Sequence, residues 1–468
     1  MSLQGFYLMP HPPIVLPEVG KGEEQKISCT SMSLQAIGKE IAQKAPATII
    51  LVTPHGTMFQ NAIALSYEEE IGGDLKKFGA SEVAMKLEIN KILTHKIYEL
   101  ASAEDIPVVL ATDSLLREYK SSVFLDHGTM VPLYFINTYY KTYKLVHITY
   151  ATLGDIDLYR FGMVIQKACE ALKEEAVLIA SGDLSHKLKE EGPYEYSPFG
   201  EKFDTEFVRH LQEGNVMGVF GMDKELICNA GECGRRSIAI LLGTLEGRRF
   251  QGELLSYEGT FGVGYGVMKM NVVAEDASKL RELEAVKNGN YEKKQNQRDP
   301  YVRLARESLT SYLNLDKVQE KLPNYITDEM KSMKRGVFVS LKKHGELRGC
   351  IGTIFPTTEN IAEEIRRNAI QAGVHDPRFN QVEKEELLEI GFSVDVLTEP
   401  ENCSKEELNA REYGVIVRSR GKTGVLLPNL EGVNTVEKQL EIALEKAGIK
   451  PYEEYMLQRF QVIRHKEE

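Results

Sequence analysis

Four histidines of this 468-residue chain stand where apolar runs give way to turns: His11 in MPHPP, His55 in TPHGT, His127 in LDHGTMVPL and His186 in SGDLSHKL. Imidazole ligates Fe(II), Zn(II) or Cu(II), and two imidazoles with one carboxylate make a facial set that leaves positions open for substrate and oxygen. Glu232, in CNAGECGRRSIAILLGTL, is the candidate carboxylate, because the glycines around it let backbone approach a site closely. The same placement also suits a carboxylate that only favours the start of the apolar helical pattern behind it. Cys233 beside it is the alternative ligand, and a thiolate there favours Zn or Cu(I) over an oxygen-activating iron.

Other histidines carry less chemistry. His147 lies inside the strand-like run KLVHITY and reads as a packed residue, whereas His95 and His210 sit in polar, helical surroundings that suit exposure. The prolines on either side of His11 fix the approach of the chain to it.

Positioning these groups requires strands whose ends meet. The runs ATIILVTP, IPVVLATD, VPLYFIN, YKLVHITYA and AVLIASGD are short and β-branched, and each ends in a turn signal. Helical patterns such as LYRFGMVIQKACEALKE lie between them, with apolar residues three and four apart. That alternation predicts an α/β domain over 1–273, a central sheet flanked by helices. The loops at the carboxyl ends of its strands are where such sheets gather ligand-binding groups. LLSYEGTFGVGYGVMKMNVV reads as a Gly-spaced strand closing the domain near Val273. Residues 274–298 are charged, with almost no apolar face, and read as an exposed linker or a solvated helix.

An α+β rhythm follows over 299–468. DPYVRLARESLTSYL, TENIAEEIRRNAIQAG and TVEKQLEIALEKAG are helical, RGVFVSLKKHGELRGCIG is a pair of strands around the turn KKHGE, and LLEIGFSVDVLTEP and YGVIVRSRGKTGVLLP are strand-like. Here Arg348, Gly349 and Cys350 offer a cation, an approachable backbone and a thiol, with His375, Asp376 and Arg378 as neighbours in a candidate second site. A reactive thiol needs a depressed pKa, for which an adjacent Arg or His is the usual device. A cysteine between Gly and Ile in a strand is also a common small buried residue.

Composition narrows the partners. With 42% hydrophobic and 27% charged residues the chain is of globular, soluble type, and a net charge of −12 argues against a general nucleic-acid binder. Cysteines 29, 169, 228, 233, 350 and 403 show no CxxC spacing, so reduced thiols in a cytoplasmic protein are expected. No apolar run approaches a membrane span, and no secretory signal opens the chain.

The motifs PHPP, TPHG, DHGTMVPL, SGDLSH and GECGRRS, in this order over residues 1–273, resemble the LigB-type class III extradiol dioxygenase superfamily, in particular its Memo-like branch in the AmmeMemoRadiSam system. The resemblance implies a non-haem Fe(II) held by His11, His55 and Glu232, with Cys233 as the alternative ligand and Zn or Cu as alternative metals. It implies that His127 contacts substrate or oxygen and that His186 is the acid/base. A neutral imidazole suits that exchange of protons with a catechol-like, small-molecule aromatic diol. The hexapeptide LRGCIG at 347–352, with NAIQAGVHDPRFNQV, FSVDVLTEP and TGVLLPNL, resembles the AMMECR family over 299–465. The combined resemblance implies a radical SAM partner protein, while a homo-oligomer, a non-catalytic metal- or peptide-binding module and a zinc hydrolase stay open.

Overall fold

The β-branched runs become strands of one sheet in the first of two units, Met1–Val286 and Lys287–Glu468. The computed structural model describes residues 2–295, 299–315, 321–343, 345–430 and 432–467. In the first unit the strands are β1 (Leu3–Met9), β2 (Thr48–Thr53), β3 (Ile63–Ser66), β4 (Glu70–Leu75), β5 (Ala80–Glu88), β6 (Val108–Ala111), β7 (Lys144–Thr149), β8 (Ala176–Ser181), β9 (Arg248–Glu258) and β10 (Tyr265–Glu275). Eight of them form a sheet of order β6-β3-β7-β2-β8-β1-β10-β9, and β4 and β5 make a separate hairpin.

The central strands β7, β2, β8 and β1 run parallel. Alternation along them buries both faces. Phe6, Leu8, Ile50, Val52, Leu178 and Ala180 join the core on one side; Tyr7, Met9, Ile49, Leu51, Val177 and Ile179 join the core on the other. Each of the larger side chains contributes about 1.5–3 kcal/mol of burial. The register makes the carboxyl ends flush: Met9 pairs with Ser181, Val52 with Ala180, and Thr53 with Thr149. His11, His55 and Asp183 therefore leave the sheet from one edge, each two residues beyond a strand end.

Two expectations are corrected. VPLYFIN is not a strand but part of the helix His127–Asn137, because Asp126 caps it by accepting the Thr129 N–H. Its apolar run is too short to separate a strand from a buried helix by pattern. LLSYEGTFGVGYGVMKMNVV is not one strand but the hairpin of β9 and β10. The charged stretch after β10 is the helix Lys279–Gln295, and residues 296–298 lie outside the described residues. Among the described residues no helix is long and apolar enough to cross a membrane.

The second unit holds β11 (Val337–Lys343), β12 (Glu346–Gly352), β13 (Ile390–Leu397), β14 (Glu401–Asn402), β15 (Gly414–Ser419), β16 (Lys422–Leu426), β17 (Met456–Phe460) and β18 (Val462–Lys466). They form two antiparallel sheets, β12-β11-β13-β18 and β14-β17-β15-β16. The helices Pro300–Leu315, Ile361–Val374 and Val436–Ala447 fall where their periodicity placed them, the last stopped by Gly448 at φ 62°. His344, in the expected turn between β11 and β12, lies outside the described residues.

Candidate metal centre

Flush strand ends bring three ligand atoms together. The His11 and His55 Nε2 atoms are 3.0 Å apart, and Cys233 Sγ is 3.7 Å from His11 Nε2. All three donors lie within 4.8 Å of one another, forming the group of metal-ligating side chains found among the described residues. Cys233 reaches the site because its turn packs backbone on backbone against the end of β8. A Cβ on Gly182 would collide with the Gly234 Cα, so this approach needs glycine.

The direction of the His11 lone pair is set from behind. Pro132 has no N–H to give the Gly128 carbonyl four residues earlier in its helix. That carbonyl instead accepts the Ser181 hydroxyl hydrogen. Having spent its only proton there, Ser181 Oγ must accept from His11 Nδ1, 2.8 Å away. His11 thus carries its proton on Nδ1 and turns a bare Nε2 toward His55 and Cys233. Such an outer partner orients a ligating imidazole.

Electrostatics keep these groups neutral. Burial pushes His11 well down and His55 down, each opposed by the Asp126 charge. Burial pushes the Cys233 thiol well up, while the Asp183 N–H points at its sulfur from 3.2 Å. Asp183 is itself raised to about 6 by burial, against the His11 N–H that its Oδ1 accepts at 2.8 Å. Asp126 would also be raised by burial, but hydrogen bonds from His147, Thr53 and Thr129 more than offset it and hold it below the usual carboxylate range. Two imidazoles and one thiol with these separations are compatible with atoms about 2.0–2.3 Å from one shared ion, so the residues fit a metal. A metal would displace the thiol proton.

The sequence-selected residues are distributed unevenly. His127 stacks on His55 with ring centroids 4.3 Å apart and meets His11 edge-on at 5.3 Å; burial and the two neighbouring imidazoles push it down to about 3. His186 stacks on Tyr194 at 5.2 Å, is pushed down by burial, and feels the charges of Asp183 and His55. Glu232 is not in the ligand group. Its Oε2 accepts the Arg235 N–H at 2.6 Å, supplying the helix Arg235–Gly243 with an acceptor that its N-cap, Gly234, lacks. The adjacent Cys233 takes the place beside the histidines. His147 is buried within β7, as its pattern suggested, and also bonds Ser66, Thr129 and Asp126. The side chain of His95 is about half exposed, at 46%.

In the second unit the candidate residues divide. β12 is an edge strand, and its Cys350 is bridged as a neighbouring strand would bridge it: Asp376 Oδ2 accepts the Cys350 N–H at 2.9 Å, and Arg378 Nη2 donates to the Cys350 carbonyl at 3.0 Å. Asp376 and Arg378 are paired at 2.7 Å, and that pairing holds Asp376 below the usual carboxylate range. The Cys350 sulfur accepts from Ser340 Oγ at 3.2 Å. Arg348 is drawn elsewhere, to the Glu386 carboxylate and the Asn380 and Gln381 carbonyls, and His375 is exposed. The arrangement seals a strand edge.

Comparison with known proteins agrees with both halves. The family model for the catalytic LigB subunit of aromatic ring-opening dioxygenase matches residues 5–268. The chain belongs to the LigB family. The AMMECR1 family model matches residues 302–465, so a LigB domain is fused to an AMMECR1 domain. Protein CA_C1420 of Clostridium acetobutylicum is 65% identical over 467 residues, covering 100% of both chains. A Thermotoga maritima protein is 45% identical over 170 residues, 36% of this chain and 97% of its own. Among solved structures, uncharacterized protein PH0010 from Pyrococcus horikoshii is similar at 31% identity and a TM-score of 0.33, over 36% of this chain and 90% of its own.

Within the LigB domain, sequence reasoning passed over Asp126, Gly128, Pro132, Ser181 and Asp183. All five lie inside motifs quoted for their histidines, DHGTMVPL and SGDLSH. The available signal was the Gly128–Pro132 spacing of four, which marks an unpaired helical carbonyl.

Proposed function

We propose that the LigB domain is a metal-dependent oxidoreductase that holds one ion through His11, His55 and Cys233 and acts on a small molecule, with His127 and His186 managing its protons. The observation that carries this reading is the convergence of three buried or half-buried donors with the His11 lone pair already aimed between them. A bound divalent metal would supply a Lewis-acid position for ligand oxygens and, as Fe(II), one-electron exchange with oxygen. His127, neutral and stacked on His55, lies where it can accept a proton from a hydroxyl brought to the cleft. His186, also neutral, can take a second and return it, with Asp183 beside it to stabilise the imidazolium. Those two acceptances suit a diol of catechol type. Resemblance to the AmmeMemoRadiSam system supports a radical SAM protein as the working partner of the fused domains.

A second reading has its own observation. Cys233, rather than a carboxylate, stands with the histidines, and a thiolate donor favours Zn or Cu(I). The same cleft would then activate water for hydrolysis or hold metal without turnover.

Metal content of the full chain, purified without oxygen, tests both readings. The expected result is one ion per chain, lost in His11→Ala and Cys233→Ser and retained in Glu232→Gln. Oxygen uptake with a catechol on the Fe(II)-loaded chain supports the oxidoreductase; aryl-ester cleavage on the Zn-loaded chain supports the hydrolase. Retention of metal by Cys233→Ser with its loss in Glu232→Gln would overturn the ligand set.

A further inference from the structure

Among the described residues six tyrosines are buried: Tyr7, Tyr143, Tyr150, Tyr159, Tyr265 and Tyr301. A buried phenol ordinarily keeps a partner for its O–H. Five of the six do: Glu40 for Tyr7, Asn137 for Tyr143, the Cys233 carbonyl for Tyr150, Glu246 for Tyr159 and Glu329 for Tyr301. Tyr265, only 4% exposed, makes no side-chain hydrogen bond among the described residues. Nor is its oxygen one of the polar atoms that the fold seals off unpaired, as it does Thr94 Oγ1 and Ser256 Oγ. A hydroxyl that is neither bonded nor sealed opens on space that another molecule can enter.

Topology carries that hydroxyl to the metal-ligating side chains. β10 begins at Tyr265 and runs antiparallel to β1 in the register Tyr7↔Lys269 and Leu8↔Met268. Continued past the end of β1, the same register sets Tyr265 level with His11. Tyr265 shares its core with Tyr7 and Met9, so its ring stands on the same face of the sheet as theirs. The preceding residue, Gly264, is bonded to the loop after β8: its carbonyl accepts the Leu184 N–H and its N–H donates to the Ser185 carbonyl, both at 2.8 Å. That loop carries Asp183, whose Oδ1 accepts the His11 N–H at 2.8 Å and whose Oδ2 lies 4.0 Å from His11 Nε2, the nitrogen turned to the cleft. Burial, and then the nearby Asp183 charge, push the Tyr265 phenol up. It is thereby held protonated, a donor rather than a base.

We infer that the Tyr265 hydroxyl is a ligand-contacting group of the metal cleft, donating a hydrogen bond to a hydroxyl or carbonyl oxygen of the small molecule taken there. This rests on the metal-cleft reading above and adds a fixed donor to the two proton-accepting histidines. The sheet order β2-β8-β1-β10 puts Tyr265 on the far side of His11 from His55. It therefore approaches the ligand from the side opposite the stack of His127 on His55.

The test has two arms, both on the full chain. Urea unfolding without ligand compares Tyr265→Phe with Tyr143→Phe. Tyr143→Phe removes the donor that Asn137 Oδ1 accepts at 2.7 Å and should lower the midpoint, whereas Tyr265→Phe, losing no bond, should match wild type. The second arm titrates 4-nitrocatechol, followed by its absorbance, with and without one equivalent of Co(II). Tyr265→Phe should weaken that binding about tenfold, the scale of one hydrogen bond lost from a partly dry site, with Co(II) affinity unchanged. Binding within twofold of wild type in Tyr265→Phe, or a midpoint that falls as far as that of Tyr143→Phe, would overturn the assignment. So would a wild type that binds no 4-nitrocatechol. Failure to bind Co(II) would count against the metal reading alone, since the titration is also made on the metal-free chain.

Discussion

Ser181→Ala attacks the relay that aims His11, and its cost can be worked out from the contacts. The serine oxygen donates to the Gly128 carbonyl and accepts His11 Nδ1–H at 2.8 Å, and both Ser181 and His11 are almost fully buried. Removing it strands one buried acceptor and one buried donor, each costing about 1–3 kcal/mol. Part of that returns if His11 moves its proton to Nε2. The recovery blocks the lone pair that faces the cleft. Metal affinity should therefore fall about 10- to 100-fold, the usual loss on removing an outer partner of a ligating imidazole. Pro132→Ala provides the contrast. It restores an N–H that competes for the Gly128 carbonyl, and replacing a proline inside a helix is worth up to about 3 kcal/mol. A carbonyl oxygen can accept two hydrogen bonds, so the loss of metal affinity should be only a few-fold, alongside a gain in stability. Competition with a chromogenic chelator for Zn(II), together with urea unfolding of the metal-free chain, reads both quantities. Zn(II) affinity within twofold of wild type in Ser181→Ala would refute the relay.

Asp204, buried and bonded to the Ser185 N–H and the Tyr257 hydroxyl, is raised by burial from 3.8 to about 7. The folded chain holds its proton more tightly than the unfolded chain between those values, so stability should decline as pH rises from about 4 to about 7, by an amount on the order of 4 kcal/mol. Asp204→Asn should reduce that slope in urea midpoints measured from pH 4.5 to 8, most clearly above about pH 6 where Asp183 no longer contributes, and an unaltered slope would exclude Asp204 as a source. In the AMMECR1 domain, Asp376→Ala removes the acceptor of the Cys350 N–H and should cost about 1–3 kcal/mol. Hydrogen exchange over Glu346–Gly352 should speed up in that variant, and no change there would show that the edge is sealed by other means.

Much of the LigB sheet was legible in the chain itself. TIILVT and AVLIAS are near-continuous apolar runs because both faces of the parallel strands are buried, and a histidine or aspartate two residues past each end marks one sheet edge. The histidine pair of the site followed from that. The choice between Glu232 and Cys233 did not, because adjacent residues on a glycine turn point in different directions. It is settled in three dimensions, where Gly234 packs against Gly182, Glu232 turns back to the Arg235 N–H and Cys233 lies beside the histidines. VPLYFIN went astray because an apolar run of six residues fits either element, and the deciding group, Asp126, lies outside the run. In LRGCIG the motif was plain and its physical use was not, since the groups sealing Cys350 come from Asp376 and Arg378, 26 and 28 positions downstream.

His11 and Cys233 are 222 positions apart in sequence. A metal ion joining them would close a loop through most of the LigB domain, and on the ribosome it could not be captured until residue 233 had emerged. It would act as a latch on a finished fold rather than a seed for folding, with its binding energy added to the native state alone. Release of the ion would then leave a folded but less persistent domain, so that metal supply would set the lifetime of this protein as well as its chemistry.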